Sequence, residues 1–185
     1  STDRFEMYLA EGADFILLGE AELTLLELTN SFTKNENDFF TIEGLAFKHN
    51  DAIVKTKKRN VIKELDTLPF PAWDIIDMEP YRKMWLKHNG YFSMNMGTTR
   101  GCPFKCNWCA KPIYGNRYTS RSPSHVIREI EYLLKTFSPD HFWMCDDIFG
   151  LNNNYYINIQ SGNDVKLNIE TEYFNNNLNT PDRIK

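Results

Sequence analysis

Three of the four cysteines lie in one short run, Gly101-Cys102-Pro103-Phe104-Lys105-Cys106-Asn107-Trp108-Cys109, with the spacing C-x3-C-x2-C. A disulfide framework usually spreads its cysteines along the chain, so thiols clustered like this point to a metal. Three thiolates on one loop can reach three corners of a cubane iron–sulfur cluster. The fourth iron is then open to a chelating small molecule. In such a site the protein tunes the cluster by ligation, hydrogen bonding and burial, and the cluster carries the redox chemistry. A structural zinc site wants four ligands, commonly in C-x2-C pairs. Only Cys106 and Cys109 form such a pair. Cys145 stands alone in a strand-like run and reads as a small buried apolar residue. Electron-transfer clusters normally take four protein ligands, so three cysteines favour an open site over an electron-carrying module.

The elements around the loop are those of an α/β protein. Phe92, Met94 and Met96 alternate with Ser93, Asn95 and Gly97, a strand pattern that runs straight into the cysteine loop. Ser122-Pro123 then starts a helix, with serine as N-cap and proline in the first turn. Its apolar face is Val126, Ile127, Ile130, Leu133, Leu134 and Phe137, and Ser138-Pro139-Asp140 ends it. His141 to Cys145 follows as a buried strand. The order predicts a βαβ unit with parallel strands. Asp146 and Asp147 sit at the carboxyl end of its second strand, where barrel-like α/β folds collect functional groups. Arg117 and Arg121, after the loop, read as structural or surface groups.

Upstream, Asp14 to Gly19 reads as a short buried strand, and a helix follows with Ala21, Leu25, Leu28 and Phe32 on one face. Acidic Glu20 and Glu22 suit the start of that helix. Such a strand calls for parallel neighbours. Two apolar runs, Gly44 to Lys48 and Ala52 to Thr56, flank His49-Asn50-Asp51 and predict a β-hairpin. The basic run Lys55 to Arg59 reads as a solvated turn or linker. Leu68-Pro69-Phe70-Pro71 is a proline-punctuated connector, and the boundary between two units falls between about residues 57 and 90. From Asn152 onward asparagine dominates without sustained apolar periodicity, which predicts a polar or disordered tail. A net charge of −4 and a pI near 5.6 give no electrostatic reason for a nucleic-acid partner. No apolar stretch is long enough to span a bilayer and no secretory leader is visible, so the expected compartment is the cytoplasm.

The loop resembles that of the radical S-adenosylmethionine enzymes. Its spacing matches their C-x3-C-x-aromatic-C pattern, with Trp108 immediately before the last cysteine. Asp146-Asp147-Ile148-Phe149 looks like the motif of the cobalamin-associated members. Ala13 to Glu22 resembles the last strand and helix of the cobalamin-binding domain that precedes many such enzymes, with Ala21 where a glycine is usual. The hairpin and the Leu68 to Pro71 linker also match, and the likeness covers about residues 10–151.

The resemblance implies the end of a Rossmann-like cobalamin-binding-type domain (1–56), a linker (57–90), the start of a partial (βα)6 barrel (91–151) and a divergent tail (152–185). It implies a [4Fe–4S] cluster on Cys102, Cys106 and Cys109, with Trp108 beside it. The free iron would chelate S-adenosylmethionine, and Asp146 or Asp147 would meet that molecule's amino group. Reductive cleavage would give a 5′-deoxyadenosyl radical, used on a small-molecule substrate for a cobalamin-associated methylation or rearrangement. The electron donor would be a flavodoxin or ferredoxin. Base-off cobalamin domains carry D-x-H-x-x-G, and none of His49, His88, His125 or His141 lies in that context. The chain therefore reads as a piece of a longer enzyme, in which cobalamin binding belongs to other parts. The competing readings are a non-catalytic iron–sulfur or zinc module and an inactive fragment.

Overall fold

The computed structural model describes residues 2–34, 38–109 and 113–151. The asparagine-rich tail expected from Asn152 lies outside the described residues.

The N-terminal unit is a three-stranded sheet with two helices. It comprises α1 (Phe5–Ala10), β1 (Phe15–Leu17), α2 (Glu22–Thr33), β2 (Leu45–His49) and β3 (Ala52–Lys55). The predicted hairpin is present: His49 pairs with Ala52 across a two-residue turn. Asn50 and Asp51 take φ of 48° and 62°, the left-handed pair that asparagine and aspartate tolerate best. β1 runs antiparallel to β2, with Phe15 opposite Phe47 and Leu17 opposite Leu45. The hairpin takes one edge of β1, and among the described residues no strand pairs with the other. Period-two alternation splits the core. Phe15 and Leu17 pack with Leu28, Ile42, Leu45 and Phe47, whereas Ile16 packs with Leu9 and Ala46 on the other face.

Two local expectations also change. The buried stripe of α2 is Thr24, Leu28 and Ser31, while Leu25 and Phe32 stand about half exposed. Thr24 is drawn inward because its hydroxyl donates to the Glu43 carbonyl (2.9 Å) and accepts from Arg59 Nε (2.9 Å). The basic run is not simply solvated. Arg59 is largely buried and ion-paired with Glu27, whereas Lys55, Lys57 and Lys58 are exposed and Lys57 pairs with Glu43 at 2.7 Å.

Between the units the chain makes short 3-10 turns at Leu65–Thr67 and Trp73–Ile75. It then forms α3 (Glu79–Asn89), ended by Gly90 at φ 77°. The sequence reading gave residues 57–90 as a connector and did not anticipate this helix.

The second unit contains β4 (Ser93–Met96), β5 (Thr99–Arg100), β6 (Thr119–Ser120), α4 (Pro123–Phe137) and β7 (His141–Met144). β4 and β7 are parallel, in register from Ser93 opposite His141 to Met96 opposite Met144, as the βαβ reading expects. Ser122 caps α4 by accepting from the His125 amide at 3.2 Å. α4 covers one face of the strands through Val126 and Ile130, packed with Met96, Phe142 and Met144. Phe92, Met94 and Leu133 form a second cluster, closed by Trp73, Met78 and Trp85. The opposite face is open. β7 alternates between exposed and half-buried residues, and both Trp143 and Cys145 are exposed. The buried strand and buried Cys145 expected from sequence are therefore corrected: among the described residues, no helix covers that face.

Candidate cluster-binding site

The cysteine loop starts and ends on a small clasp. Thr99 and Arg100 of β5 pair with Ser120 and Thr119 of β6, and the Arg121 amide donates to the Thr98 carbonyl at 2.9 Å. The loop leaves β5 through Gly101 at φ 80°. A Cβ there would collide with the Arg117 carbonyl oxygen and lie 3.0 Å from Tyr114 Cβ, so only glycine fits. Beyond Gly101 the described backbone has no regular ladder before β6 apart from local turns. One of these is closed by the Cys109 amide donating to the Cys106 carbonyl at 3.3 Å.

None of the three cysteines is joined in a disulfide. Cys102 is half-buried, and Cys106 and Cys109 are exposed. Trp108 is 89% exposed and Phe104 46% exposed. Among the described residues, no three His, Cys, Asp or Glu side chains gather tightly enough to hold a single metal ion. A cubane asks for something different, because its three thiolates grip three separate irons and need not share one. Three cysteines on one irregular loop, none of them in a disulfide, fit that donor set. They can converge without breaking a helix or a sheet. Cys145 follows β7 and is not part of the loop.

Asp146 and Asp147 come one residue after β7, so the parallel register places them beside the end of β4, where the stem of the cysteine loop begins. The structure gives the two carboxylates different surroundings. Asp146 Oδ1 accepts from the amides of Thr98 and Thr99 at 2.7 Å each, and Oδ2 accepts from the Thr98 hydroxyl at 2.6 Å. Burial pushes its carboxyl above the usual carboxylate range, opposed by these threonine donors. Asp147 is exposed. The Thr99 hydroxyl also donates to the Ile148 carbonyl at 2.9 Å, so both threonines tie the loop stem to the end of β7.

Arg121 is structural, as its sequence position indicated. It donates to the Gly97 carbonyl at 2.7 Å and to His125 Nδ1 at 2.9 Å, and it pairs with the buried Glu129 carboxylate. The sequence reading missed the contacts of Arg100. Its guanidinium meets Glu20 at 2.7 Å and Glu22 at 2.5 Å. The Gly19-Glu20-Ala21-Glu22 run was visible, but nothing local tied it to a residue about 80 positions away. Beside this link lies an open cleft of about 990 Å³, lined by Leu25, Leu26, Phe70, Gly97, Arg100 and Cys145, among others. Among the described residues no helix is long and apolar enough to cross a membrane.

No protein-family model matches the chain. An uncharacterised methyltransferase of Pyrococcus horikoshii is 31% identical over 147 residues, which are 79% of this chain and 31% of that protein. The anaerobic magnesium-protoporphyrin IX monomethyl ester cyclase of Synechocystis is 29% identical over 134 residues, which are 72% of this chain and 26% of that protein. The chain thus spans about a third or less of these curated relatives' lengths. Among solved structures, the cobalamin-dependent S-adenosylmethionine radical enzyme OxsB with aqua-cobalamin and S-adenosylmethionine bound matches with a TM-score of 0.64 at 20% identity. That match covers 85% of this chain and 22% of OxsB. The radical S-adenosylmethionine methyltransferase TsrM of Kitasatospora setae, with cobalamin and a [4Fe–4S] cluster bound, matches with a TM-score of 0.58 at 21% identity. It covers 80% of this chain and 29% of TsrM. The chain is a homologue of methyltransferase and cyclase enzymes, and it has the mixed α/β fold of a segment of the cobalamin-dependent radical S-adenosylmethionine enzymes.

Proposed function

We propose that this chain is the segment of a radical S-adenosylmethionine enzyme that carries the cluster loop, with Cys102, Cys106 and Cys109 as ligands to three irons of a [4Fe–4S] cluster. One observation carries the reading. The C-x3-C-x2-C loop follows β4 by way of the short β5, and the aspartate pair lies just past the end of β7, the parallel neighbour of β4. When bound and reduced, such a cluster supplies the electron that cleaves S-adenosylmethionine to a 5′-deoxyadenosyl radical.

The protein's own residues bind and orient. Gly101 turns the chain so that Cys102 follows the clasp directly. Asp146 already accepts three hydrogen bonds from the loop stem, which makes it an anchor for that stem. We assign the contact with the amino group of S-adenosylmethionine to exposed Asp147, and we place Trp108 against the cluster once the loop has closed around it. The adjoining cleft is within the size range of small-molecule sites. The same reading divides the chain into a cobalamin-type end (1–56), a connector containing α3 (57–90) and the start of the barrel (91–151). The relatives' names support a methylation or a cyclisation on a small molecule by the whole protein, and the electron donor that this reading calls for is a flavodoxin or ferredoxin.

Anaerobic reconstitution with iron and sulfide tests the assignment. Iron and sulfide analysis with electron paramagnetic resonance should show a [4Fe–4S] cluster in the native sequence and in Cys145→Ala. Cluster loss in Cys145→Ala with retention in Cys102→Ala would overturn the reading, as would stoichiometric zinc in protein purified without air.

A further inference from the structure

Arg100 lies two residues before Cys102, and two carboxylates from the N-terminal unit take up its guanidinium. Nη1 donates to Glu20 Oε1 at 2.7 Å and Nη2 to Glu22 Oε1 at 2.5 Å. The Glu20 side chain is only 3% exposed. Its second oxygen accepts from the Ile62 amide at 2.5 Å, so both of its oxygens are engaged. Glu20 occupies the turn between β1 and α2, directly after Gly19 at φ 78°. Glu22 sits in the first turn of α2, where the helix dipole favours a carboxylate. A planar guanidinium held by two carboxylates has its direction fixed as well as its position.

There is little slack between that guanidinium and the first cysteine. Arg100 is pinned by pairing with Thr119, and Gly101 follows it against the Arg117 carbonyl. We infer that Glu20 is a positioning residue for the cluster loop, acting through Arg100, so that the N-terminal unit sets the place of Cys102. This inference rests on the reading of Cys102 as a cluster ligand. Removing Arg100 would leave the buried Glu20 carboxylate without a counter-charge, and removing the Glu20 charge would leave Arg100 on the more exposed Glu22 alone, so breaking the pair disturbs both ends.

The competing role for Glu20 is purely structural, holding the backbone at Ile62. A cycle of Glu20→Gln, Arg100→Gln and the double variant in the full chain separates the two. The first readout uses apoprotein: the iodoacetamide alkylation rate of Cys102 relative to Cys145, resolved by mass spectrometry. Each single variant should raise this ratio about tenfold, and the double variant should be no worse than the worse single. The second readout uses reconstituted protein: the rate of iron release to a chelator and the g-values of the reduced cluster. Both singles should lose iron about tenfold faster and show the same altered spectrum. Glu22→Gln removes the more exposed partner and leaves Glu20 on Ile62. It should move both rates the same way by about threefold, and it decides the matter if Glu20→Gln fails to fold. Rates within about twofold of the native sequence, or effects that add in the double variant, would overturn the inference. If the native sequence takes up no cluster, the cluster reading fails by itself, and the alkylation cycle still decides whether Glu20 positions Cys102.

Discussion

Asp146 and Asp147 are adjacent in sequence and differ in what their carboxylates can still do. Asp146 satisfies the amides of Thr98 and Thr99 and one hydroxyl, and both threonines are buried. Asp146→Ala would orphan two buried amides, at roughly 1–3 kcal/mol for each. We expect a drop of at least about 2 kcal/mol in unfolding free energy by urea titration. Asp147→Asn should leave that stability unchanged and weaken S-adenosylmethionine binding to the reconstituted protein by about 1–3 kcal/mol. Equal affinity in equilibrium dialysis would show that Asp147 makes no such contact. His125 gives a pH test of the same kind. Burial, then the Arg121 guanidinium, holds its imidazole below the ordinary value of 6.5, against the pull of Asp66. Arg121 Nε donates to Nδ1 at 2.9 Å, which requires a lone pair there and thus the neutral ring. The unfolded chain then binds a proton near pH 6.5 that the folded chain does not, so stability falls as the pH drops through this value. Between about pH 7.5 and about 5.5, the urea midpoint of the native sequence should fall more steeply than that of His125→Gln. Parallel curves would mean that the folded state accepts the proton.

At the scale of elements, legibility followed the strength of the local signal. α4 could be read because its Ser-Pro start and its apolar stripe agree, and the hairpin because Asn50-Asp51 suits two left-handed residues in succession. The buried face of α2 was misassigned for a physical reason. Leu23, Leu25, Leu26 and Leu28 offer several apolar stripes, and the one chosen contains Thr24, whose partners Glu43 and Arg59 lie far along the chain. α3 was hidden in a proline-rich stretch, and Tyr81, Met84 and Leu86 on it remain exposed, so its burial pattern is weak. The loop could be read from its cysteine spacing and from Gly101 at its entry, and the structure supplies the reason for that glycine. Gly101→Ala places a Cβ against the Arg117 carbonyl and strains a φ of 80°, which must part the β5–β6 clasp. The variant should take up less iron than the native sequence under identical anaerobic reconstitution, and its amides at Thr119 and Arg121 should exchange faster. Full cluster occupancy with unchanged exchange would show that the clasp tolerates the side chain.

At the scale of the molecule, the two units meet through contacts that no spacing rule could anticipate, since the Arg100 partners lie 80 and 78 residues away. The same scale decides the question of cobalamin. The chain spans less than a third of the relatives it matches, and the D-x-H-x-x-G context that supplies a cobalt-ligating histidine does not occur in it. Its four histidines are placed for other purposes. His125 is buried against Arg121, and His141 Nδ1 is 2.8 Å from the Ser93 hydroxyl. His49 packs edge-on to Phe40 at 5.1 Å, and His88 sits in the last turn of α3. A histidine held by neighbours must give up those bonds before it can ligate cobalt, and an exposed one on a short helix has no surrounding strands to enclose a corrin. The chain by itself should therefore not retain hydroxocobalamin in equilibrium dialysis, even when its iron–sulfur cluster is fully loaded. Stoichiometric retention with a histidine-ligated absorption spectrum, abolished by substituting one of these four residues, would show that this segment holds the cofactor without the rest of the domain.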